Sequence, residues 1–352
     1  MNSCTKRLKK LDITKSGSSS WRAPSNIALV KYWGKKEVQI PCNPSVSFTL
    51  KNCFSETSLE WSPKEEGSLT YEFMFEGQSK KSFHSKLDQF FEKIIDYIPE
   101  LNHYHFIINS KNSFPHSAGI ASSASAMAAL ALNLVSFERS LGLDLNEEEF
   151  IQRSSFLARI GSGSASRSLF AEVACWGDHP TFGNDHYALS FSNELHSNFK
   201  NYRDSIVIVD DQEKAVSSRV GHALMNNHPF ANERFTQAHA NYSLCLSALK
   251  SGDTNSFIKI VEAEALSLHA MMMTSSESYM LMRPGTLQII EEVRKFREQT
   301  SIPICFTLDA GPNVHILYPS DNLDVVMKWF NDKVKNFKVI HDELGNGPEM
   351  IQ

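Results

Sequence analysis

The spacing of hydrophobic and polar residues predicts a chain that opens with strands, continues with helices and returns to strands near its end. Alternating apolar and polar stretches bounded by turn formers predict strands. These lie at 26–30, 45–50, 55–61, 69–75, 103–108, 205–209, 302–308 and 314–318. Apolar residues at helical spacing predict helices at 83–98, 121–141, 146–160, 229–250, 255–273, 285–298 and 323–332. Asn146 and Glu149 have the spacing of a capping box.

This order of elements favours an α+β fold with two domains. A length of 352 residues also suggests two domains. Turn formers cluster at 177–185, which predicts an N-terminal domain at 21–185 and a C-terminal domain at 186–352. Residues 1–20 are basic and rich in serine but have no apolar central stretch of the kind a secretory signal needs. We expect them to form a flexible or loosely packed arm.

Composition and charge narrow the possible classes of protein. Hydrophobic residues make up 41% and charged residues 21%, which is typical of a folded globular chain and not of a disordered or fibrous one. The net charge of −5 lacks the positive field that nucleic-acid binding needs, and no run of 18 apolar residues predicts a membrane span. The six cysteines are scattered and form no disulfide framework or CxxC metal site, which favours a reducing cytoplasm.

Residues 115–124, PHSAGIASSA, form a glycine-containing turn that leads into a buried helix. Free backbone N–H groups at a helix N-terminus can hold a polyphosphate. The hydroxyls of Ser122 and Ser123 can donate to phosphate or coordinate Mg²⁺. The alternative is a helix start whose small residues serve close packing. The sequence contains no GxxxxGK[ST] motif, no full GxGxxG after a strand and no HExxH zinc helix.

Two cationic segments suit anionic ligands. In KYWGKK, Lys31 and Lys35 can meet phosphate or carboxylate while Tyr32 and Trp33 exclude water. In GSGSASRS, hydroxyls and a flexible backbone accompany Arg167, whose guanidinium can bind an anionic group through two hydrogen bonds. The alternatives are solvated lysines at a strand end and a Ser/Gly linker.

Asp309 follows the apolar run 304–308 and precedes an Ala-Gly-Pro-Asn turn. A carboxylate at a partly buried strand end beside cations can act as a general base or stabilise a nearby charge, because its surroundings set its own charge and orientation. The alternative is an Asx-type turn in which Asp309 only binds nearby backbone N–H groups.

These motifs together resemble a known family. Residues 115–124 resemble the phosphate-binding loop of the GHMP kinase superfamily. Residues 23–35, 158–170 and 306–313 are similar to segments of the diphosphomevalonate decarboxylase family, and the four matches occur in the expected order. A fifth segment, VSSRVG, resembles the Ser-Ser stretch of family members, to which Ser218 and Arg219 correspond. One departure is Ala171-Glu172, where many relatives have Gly-Gly.

The resemblance implies a two-domain GHMP kinase fold with the active site in the cleft between the domains, and it implies a role for each matching residue. Asp309, Lys31 and Arg167 would be catalytic. Substrate would be bound by Asn26, Ala28, Tyr32, Lys35, Ser162, Ser164, Ser218 and Arg219. ATP would be bound by Pro115, Gly119, Ser122, Ser123 and Ala124, with Ser122 also a ligand of Mg²⁺. A homodimer is implied as well.

The implied reaction converts mevalonate 5-diphosphate and ATP to isopentenyl diphosphate, ADP, phosphate and CO₂. The 3-hydroxyl attacks the γ-phosphoryl group while Asp309 accepts or orients its proton and Lys31 keeps Asp309 ionised. Departure of the 3-phosphate then prompts loss of the carboxylate, against which Arg167 would lie. The alternatives are a decarboxylase of mevalonate 5-phosphate, a mevalonate 3-kinase of the same superfamily and a catalytically silent relative that only binds ligand.

Overall fold

A computed structural model describes residues 11–65, 67–115, 120–211 and 218–352, apart from the side chains of Glu37, Ser218 and Arg219. The strands are β1 (Gly17–Val30), β2 (Ser45–Pro63), β3 (Thr70–Phe75), β4 (Tyr104–Asn112), β5 (Val173–Gly177), β6 (Asn184–Ser190), β7 (Tyr202–Ile208), β8 (Cys305–Leu308), β9 (Val314–Pro319), β10 (Lys338–Glu343) and β11 (Glu349–Met350). The helices are α1 (Lys81–Ile94), α2 (Ser122–Ser140), α3 (Glu147–Gly161), α4 (Ser197–Lys200), α5 (Ser218–Ala223), α6 (Ala231–Ser251), α7 (Thr254–Met273), α8 (Pro284–Thr300) and α9 (Leu323–Trp329).

Two sheets organise the chain, which confirms the α+β prediction. The first has the order β11-β1-β2-β4-β3, with β5 paired to β2 and β6 paired to β5. Its strands pair antiparallel except for β3 and β4, which run parallel. The second sheet has the order β10-β7-β9-β8 and is antiparallel throughout. Buried side chains of β2, β7 and α7, including Phe48, Tyr202 and Phe257, join the two sheets in one hydrophobic cluster.

The first sheet differs from the sequence prediction at its start. Strand β1 begins at Gly17, so residues 17–20 are not part of a flexible arm, and Leu11 before it is packed into the core. Ser19 donates from Oγ to Asn133 of α2 at 2.7 Å. Strand pairing uses backbone groups and does not require apolar side chains. The serine-rich start of β1 therefore gives no strand signal in the sequence. Residues 1–10 lie outside the described segments.

Strand β2 is one continuous element where the sequence predicts two. A distant carboxylate stabilises the junction: Asp342 of β10 accepts backbone N–H bonds from Lys51 and Asn52 through Oδ1, and from Cys53 through Oδ2, at 2.8–3.0 Å. These bonds satisfy backbone donors that a turn would otherwise satisfy locally.

The predicted division into two domains at residue 185 does not coincide with an element boundary, because β6 crosses it. The C-terminal segment also returns to the first sheet, where β11 pairs with β1.

The predicted capping box at α3 is confirmed. Asn146 Oδ1 accepts from the Glu149 backbone N–H at 2.9 Å, and Glu149 accepts from the Asn146 backbone N–H at 3.1 Å. Since an N-cap side chain satisfies a helix donor that has no intrahelical partner, Asn146→Ala should lower the free energy of unfolding by about 1 kcal/mol. Chemical denaturation would measure the change, and Asn146→Ser should retain most of the stability. Equal stability of the alanine variant would contradict the role of the cap.

Candidate active site

A cavity of about 340 Å³ lies between the C-terminal end of β1, the N-terminus of α2, the turn after α3 and the end of β8. Most of the site residues predicted from the sequence line it: Asn26, Ala28, Lys31, Tyr32, Lys35, Ser123, Ala124, Ser162, Ser164, Arg167 and Asp309. Pro115 and Ser122 are not among the lining residues. Gly119 and the side chains of Ser218 and Arg219 lie outside what the structure describes. Segments more than 270 residues apart in the chain therefore meet in one place.

Lys31 and Asp309 both line the cavity and form an ion pair, with 3.6 Å between Nζ and Oδ1. The lysine side chain is 2% exposed and the aspartate 28% exposed, so the carboxylate remains accessible. Burial lowers the pKa of Lys31, and the Asp309 and Glu264 carboxylates oppose that effect. The Lys31 ammonium also donates to the Ala28 carbonyl. Gly311 N–H binds the Asp309 carbonyl at 2.8 Å, so this turn is closed by backbone and the carboxylate faces its lysine.

Glu264 of α7 binds the backbone of Lys31, and no local pattern in the sequence reveals this contact. Its Oε2 accepts the Lys31 backbone N–H at 2.9 Å. Arg234 of α6 donates to both carboxylate oxygens, at 2.9 and 2.5 Å, and Asn241 donates to Oε1 at 2.7 Å. Glu264 is fully buried. Charge-assisted bonds of this kind fix the end of β1 against α6 and α7 and so fix the position of Lys31.

Arg167 is 2% exposed and is held by neutral oxygen atoms. Its guanidinium donates to Ser47 Oγ at 3.0 Å, to Ser45 Oγ at 2.6 Å and to Asn26 Oδ1 at 3.4 Å. Burial lowers the pKa of Arg167 to about 10, and the Asp309 carboxylate opposes the effect. Within the described segments no carboxylate lies within 4.0 Å of it to form an ion pair. A buried cation without an ion pair is costly unless an anion binds there.

Arg167 is carried by a tight 3₁₀ turn, Gly163–Leu169, and not by a linker. Gly163 is required there because a Cβ would come within 2.8 Å of Trp176 and 2.9 Å of Tyr32. Asn26 donates to the Ser164 carbonyl at 3.1 Å and to Ser168 Oγ at 2.8 Å, which ties the turn to β1. The Ser/Gly sequence therefore serves close packing and rigid placement of Arg167.

Tyr32 and Lys35 follow the end of β1 and share a partner that the sequence did not reveal. Gln39 Oε1 accepts from Lys35 Nζ at 3.2 Å and from Tyr32 Oη at 3.4 Å. Burial raises the pKa of Tyr32, so its hydroxyl keeps its hydrogen. The Tyr32 ring lies edge-on to Trp176, with 4.7 Å between the ring centroids. This wall of the cavity presents an ammonium and a hydroxyl beside buried aromatic rings.

The N-terminus of α2 also lines the cavity, through Ala121, Ser123 and Ala124. Ala121 precedes it in a left-handed conformation with φ of 42°, and no side chain caps the helix. The Ala124 N–H donates to the Ala121 carbonyl at 2.7 Å, so the N–H groups of Ser122 and Ser123 are the ones that an anion could use, together with the hydroxyl of Ser123. The same feature weakens the alternative of a simple helix cap. Glu172, part of the Ala171-Glu172 departure seen in the sequence, has a φ of 52°, a conformation that glycine adopts more easily.

The described segments contain no group of three or more His, Cys, Asp and Glu residues placed to hold a metal ion. In that part of the chain, no helix is both long enough and apolar enough to cross a membrane. The five cysteines that the structure describes are free thiols.

Comparison with known proteins gives a consistent result. Residues 23–188 match the model of the diphosphomevalonate decarboxylase-like N-terminal domain, and residues 205–351 match the mevalonate 5-diphosphate decarboxylase C-terminal domain. Diphosphomevalonate decarboxylase of Candida albicans is 30% identical over 325 residues, which cover 88% of this chain and 86% of that protein.

Two solved structures are similar in fold as well as in sequence. Mevalonate diphosphate decarboxylase from Staphylococcus aureus has a TM-score of 0.82 at 29% identity, covering 96% of this chain and 99% of that one. MDDEF in complex with MVAPP, AMPPCP and magnesium has a TM-score of 0.80 at 29% identity, and the match covers 96% of this chain and 100% of that chain.

Proposed function

Because the chain belongs to the diphosphomevalonate decarboxylase family, with its GHMP kinase fold, we propose that it converts mevalonate 5-diphosphate and ATP to isopentenyl diphosphate, ADP, phosphate and CO₂. The observation that carries the proposal is the meeting of Lys31, Asp309 and Arg167 in one cavity. A carboxylate can take the proton of a hydroxyl, an ammonium can stabilise a phosphoryl group, and a buried guanidinium can hold a carboxylate.

In the first step the 3-hydroxyl of the substrate attacks the γ-phosphoryl group of ATP. Asp309 orients that hydroxyl and accepts its proton, since its carboxylate is accessible and fixed. Lys31 stabilises the charge on Asp309 and on the transferring phosphoryl group. Phosphoryl transfer depends mainly on positioning and charge neutralisation, so the rigid anchoring of Lys31 by Glu264 contributes to the rate.

In the second step the 3-phosphate leaves and C3 develops positive charge. The electrons of the bond to the carboxylate then form the double bond, and CO₂ is released. Arg167 holds the carboxylate in position for this loss. Its polar contacts are to Ser45, Ser47 and Asn26, and no carboxylate of the described residues forms an ion pair with the guanidinium.

The 5-diphosphate would be bound on the side of the cavity formed by Tyr32, Lys35, Ser162 and Ser164, to which Ser218 and Arg219 are added by resemblance. Asn26 and Ala28 would contact the body of the substrate. ATP would lie at the N-terminus of α2, with phosphates at Ser122, Ser123 and Ala124 and at the loop containing Pro115 and Gly119. Lys35 and Arg219 favour a diphosphate over the monophosphate of the related decarboxylase.

Mg²⁺ fits this scheme because Ser123, at the start of α2, lines the cavity with a hard oxygen atom where phosphates are placed. Ser122, the ligand that the resemblance implies, comes directly before it in the helix. The ion neutralises phosphate charge when it is bound. Removal of divalent cations with EDTA should lower turnover at least about a hundredfold, and added Mg²⁺ should restore it. Full activity in EDTA would contradict a requirement for the metal. Binding of mevalonate 5-diphosphate alone should change little, which serves as the control.

The proposed activity is tested by measuring CO₂, ADP and isopentenyl diphosphate from mevalonate 5-diphosphate and ATP. Parallel reactions contain mevalonate 5-phosphate or unphosphorylated mevalonate. Release of CO₂ from the diphosphate alone is the expected result. ADP without CO₂ would identify a 3-kinase, preference for the monophosphate would identify the related decarboxylase, and ATP binding without turnover would identify a silent relative.

A homodimer and a cytoplasmic location belong to the same proposal. The dimer is implied by the resemblance, and free thiols at the described cysteines suit a reducing compartment. Light scattering coupled to size-exclusion chromatography should give a mass of about twice 39.7 kDa. A monomer across the working concentration range would contradict the dimer.

A further inference from the structure

His222 lies in the wall of the same cavity, and the scheme above gives it no role. It is the fifth residue of α5 and is 8% exposed. Its ring packs against Tyr32, with 4.2 Å between ring centroids, and against Trp33, with 4.7 Å. The imidazole is therefore held on the side of the cavity that carries Tyr32 and Lys35.

One hydrogen bond determines which ring nitrogen of His222 carries the hydrogen. The Gly34 backbone N–H donates to Nδ1 at 3.1 Å, so Nδ1 has to be unprotonated. Burial, with a smaller contribution from Lys35, lowers the pKa of His222 to about 3. The imidazole is neutral at pH 7 and its one N–H is at Nε2. Among the described residues, none accepts a hydrogen bond from that group.

A donor at the edge of a cavity, without an acceptor in the part of the chain that the structure describes, is suited to a ligand oxygen. A neutral imidazole can give a hydrogen bond to an anionic oxygen without adding charge beside Lys35. The backbone bond from Gly34 and the packing of the ring against Tyr32 and Trp33 fix its direction before any ligand binds, which lowers the entropic cost of binding.

We propose that His222 is a substrate-binding residue that donates a hydrogen bond from Nε2 to an oxygen of the substrate's 5-diphosphate. This inference rests on the proposed function, because Tyr32 and Lys35 are placed at the same group. The diphosphate is favoured over ATP by position. His222 contacts the ring of Tyr32, which is placed at the 5-diphosphate, whereas the ATP phosphates are placed at the N-terminus of α2.

Two substitutions separate binding of the ligand from support of the backbone. His222→Asn keeps an amide oxygen near the position of Nδ1, where it can accept from Gly34, but its side chain is too short to reach the position of Nε2. His222→Gln places an amide nitrogen near the position of Nε2 and loses the acceptor for Gly34. Both variants retain Tyr32, Lys35 and the catalytic groups.

The measurement is calorimetric titration of the full-length protein and both variants with mevalonate 5-diphosphate, and separately with ATP and Mg²⁺. His222→Asn should raise the Kd for mevalonate 5-diphosphate about tenfold or more, as expected for loss of a hydrogen bond to a charged group. His222→Gln should stay within about threefold of the wild type. The Kd for ATP should be unchanged in both, and kcat at saturating substrate should change less than KM.

Wild-type affinity in His222→Asn would overturn the inference, and so would weaker binding in His222→Gln than in His222→Asn. The second result would assign His222 to support of the Gly34 backbone. Equal losses in both variants, with lower melting temperatures, would also overturn it. These outcomes leave the proposed function intact, which fails only if the wild-type protein neither binds mevalonate 5-diphosphate nor releases CO₂ from it.

Discussion

Asp309→Asn is expected to lower kcat by roughly 10³-fold while the KM values for both substrates change no more than a few-fold. Asparagine keeps the size of the side chain and removes the charge and the ability to accept a proton. Because proton acceptance belongs to the first step, ADP and CO₂ should fall together. A quenched-flow assay that measures ADP and CO₂ in the same samples would test this expectation.

The chain offers a closely matched control for this substitution. Asp210 is 29% exposed and lies 3.7 Å from Arg283, compared with 28% and 3.6 Å for Asp309 and Lys31. Asp210 does not line the described cavity. Asp210→Asn should therefore keep kcat within a few-fold of the wild type. If Asp309→Asn still formed ADP at the normal rate but released no CO₂, the carboxylate would act in the second step and the assignment would be wrong.

The sequence predicted features whose physical cause is local. The hairpin of β8 and β9 follows from apolar stretches on either side of an Ala-Gly-Pro-Asn turn, and the turn places Asp309 at the end of β8. The cap at Asn146 depends on residues three positions apart. The cavity residues of the KYWGKK segment were found because charged and aromatic residues stand together in the sequence.

The sequence could not reveal residues that act across long distances in the chain. Glu264 binds the backbone of Lys31 although 233 positions separate them, and Asp342 binds β2 across about 290 positions. A buried glutamate on a helix has the same local pattern as an exposed one. The sequence also gave no sign that His222 could bind a ligand. Its tautomer is set by a hydrogen bond from the Gly34 backbone N–H, which exists only in the folded chain.

Arg167→Met is expected to abolish most activity without destabilising the protein. The guanidinium is 2% exposed and bonds to neutral oxygens, so its removal relieves the cost of burying a cation that has no ion pair with any described residue. The free energy of unfolding should be unchanged or higher by about 1–2 kcal/mol. Turnover should fall about 10²- to 10³-fold, because the substrate carboxylate would lose its proposed partner.

Arg234→Met is the matched comparison, since Arg234 is 3% exposed but is paired with Glu264 through both carboxylate oxygens. Its removal leaves a buried carboxylate without its cation and should cost about 3–5 kcal/mol. Chemical denaturation of the two variants in the absence of ligands gives the comparison. If Arg167→Met were destabilised as much as Arg234→Met, the buried charge of Arg167 would serve the fold. Unchanged or higher stability in Arg167→Met, beside a loss of stability in Arg234→Met, is the result expected if the guanidinium of Arg167 is kept for an anion that arrives with the substrate.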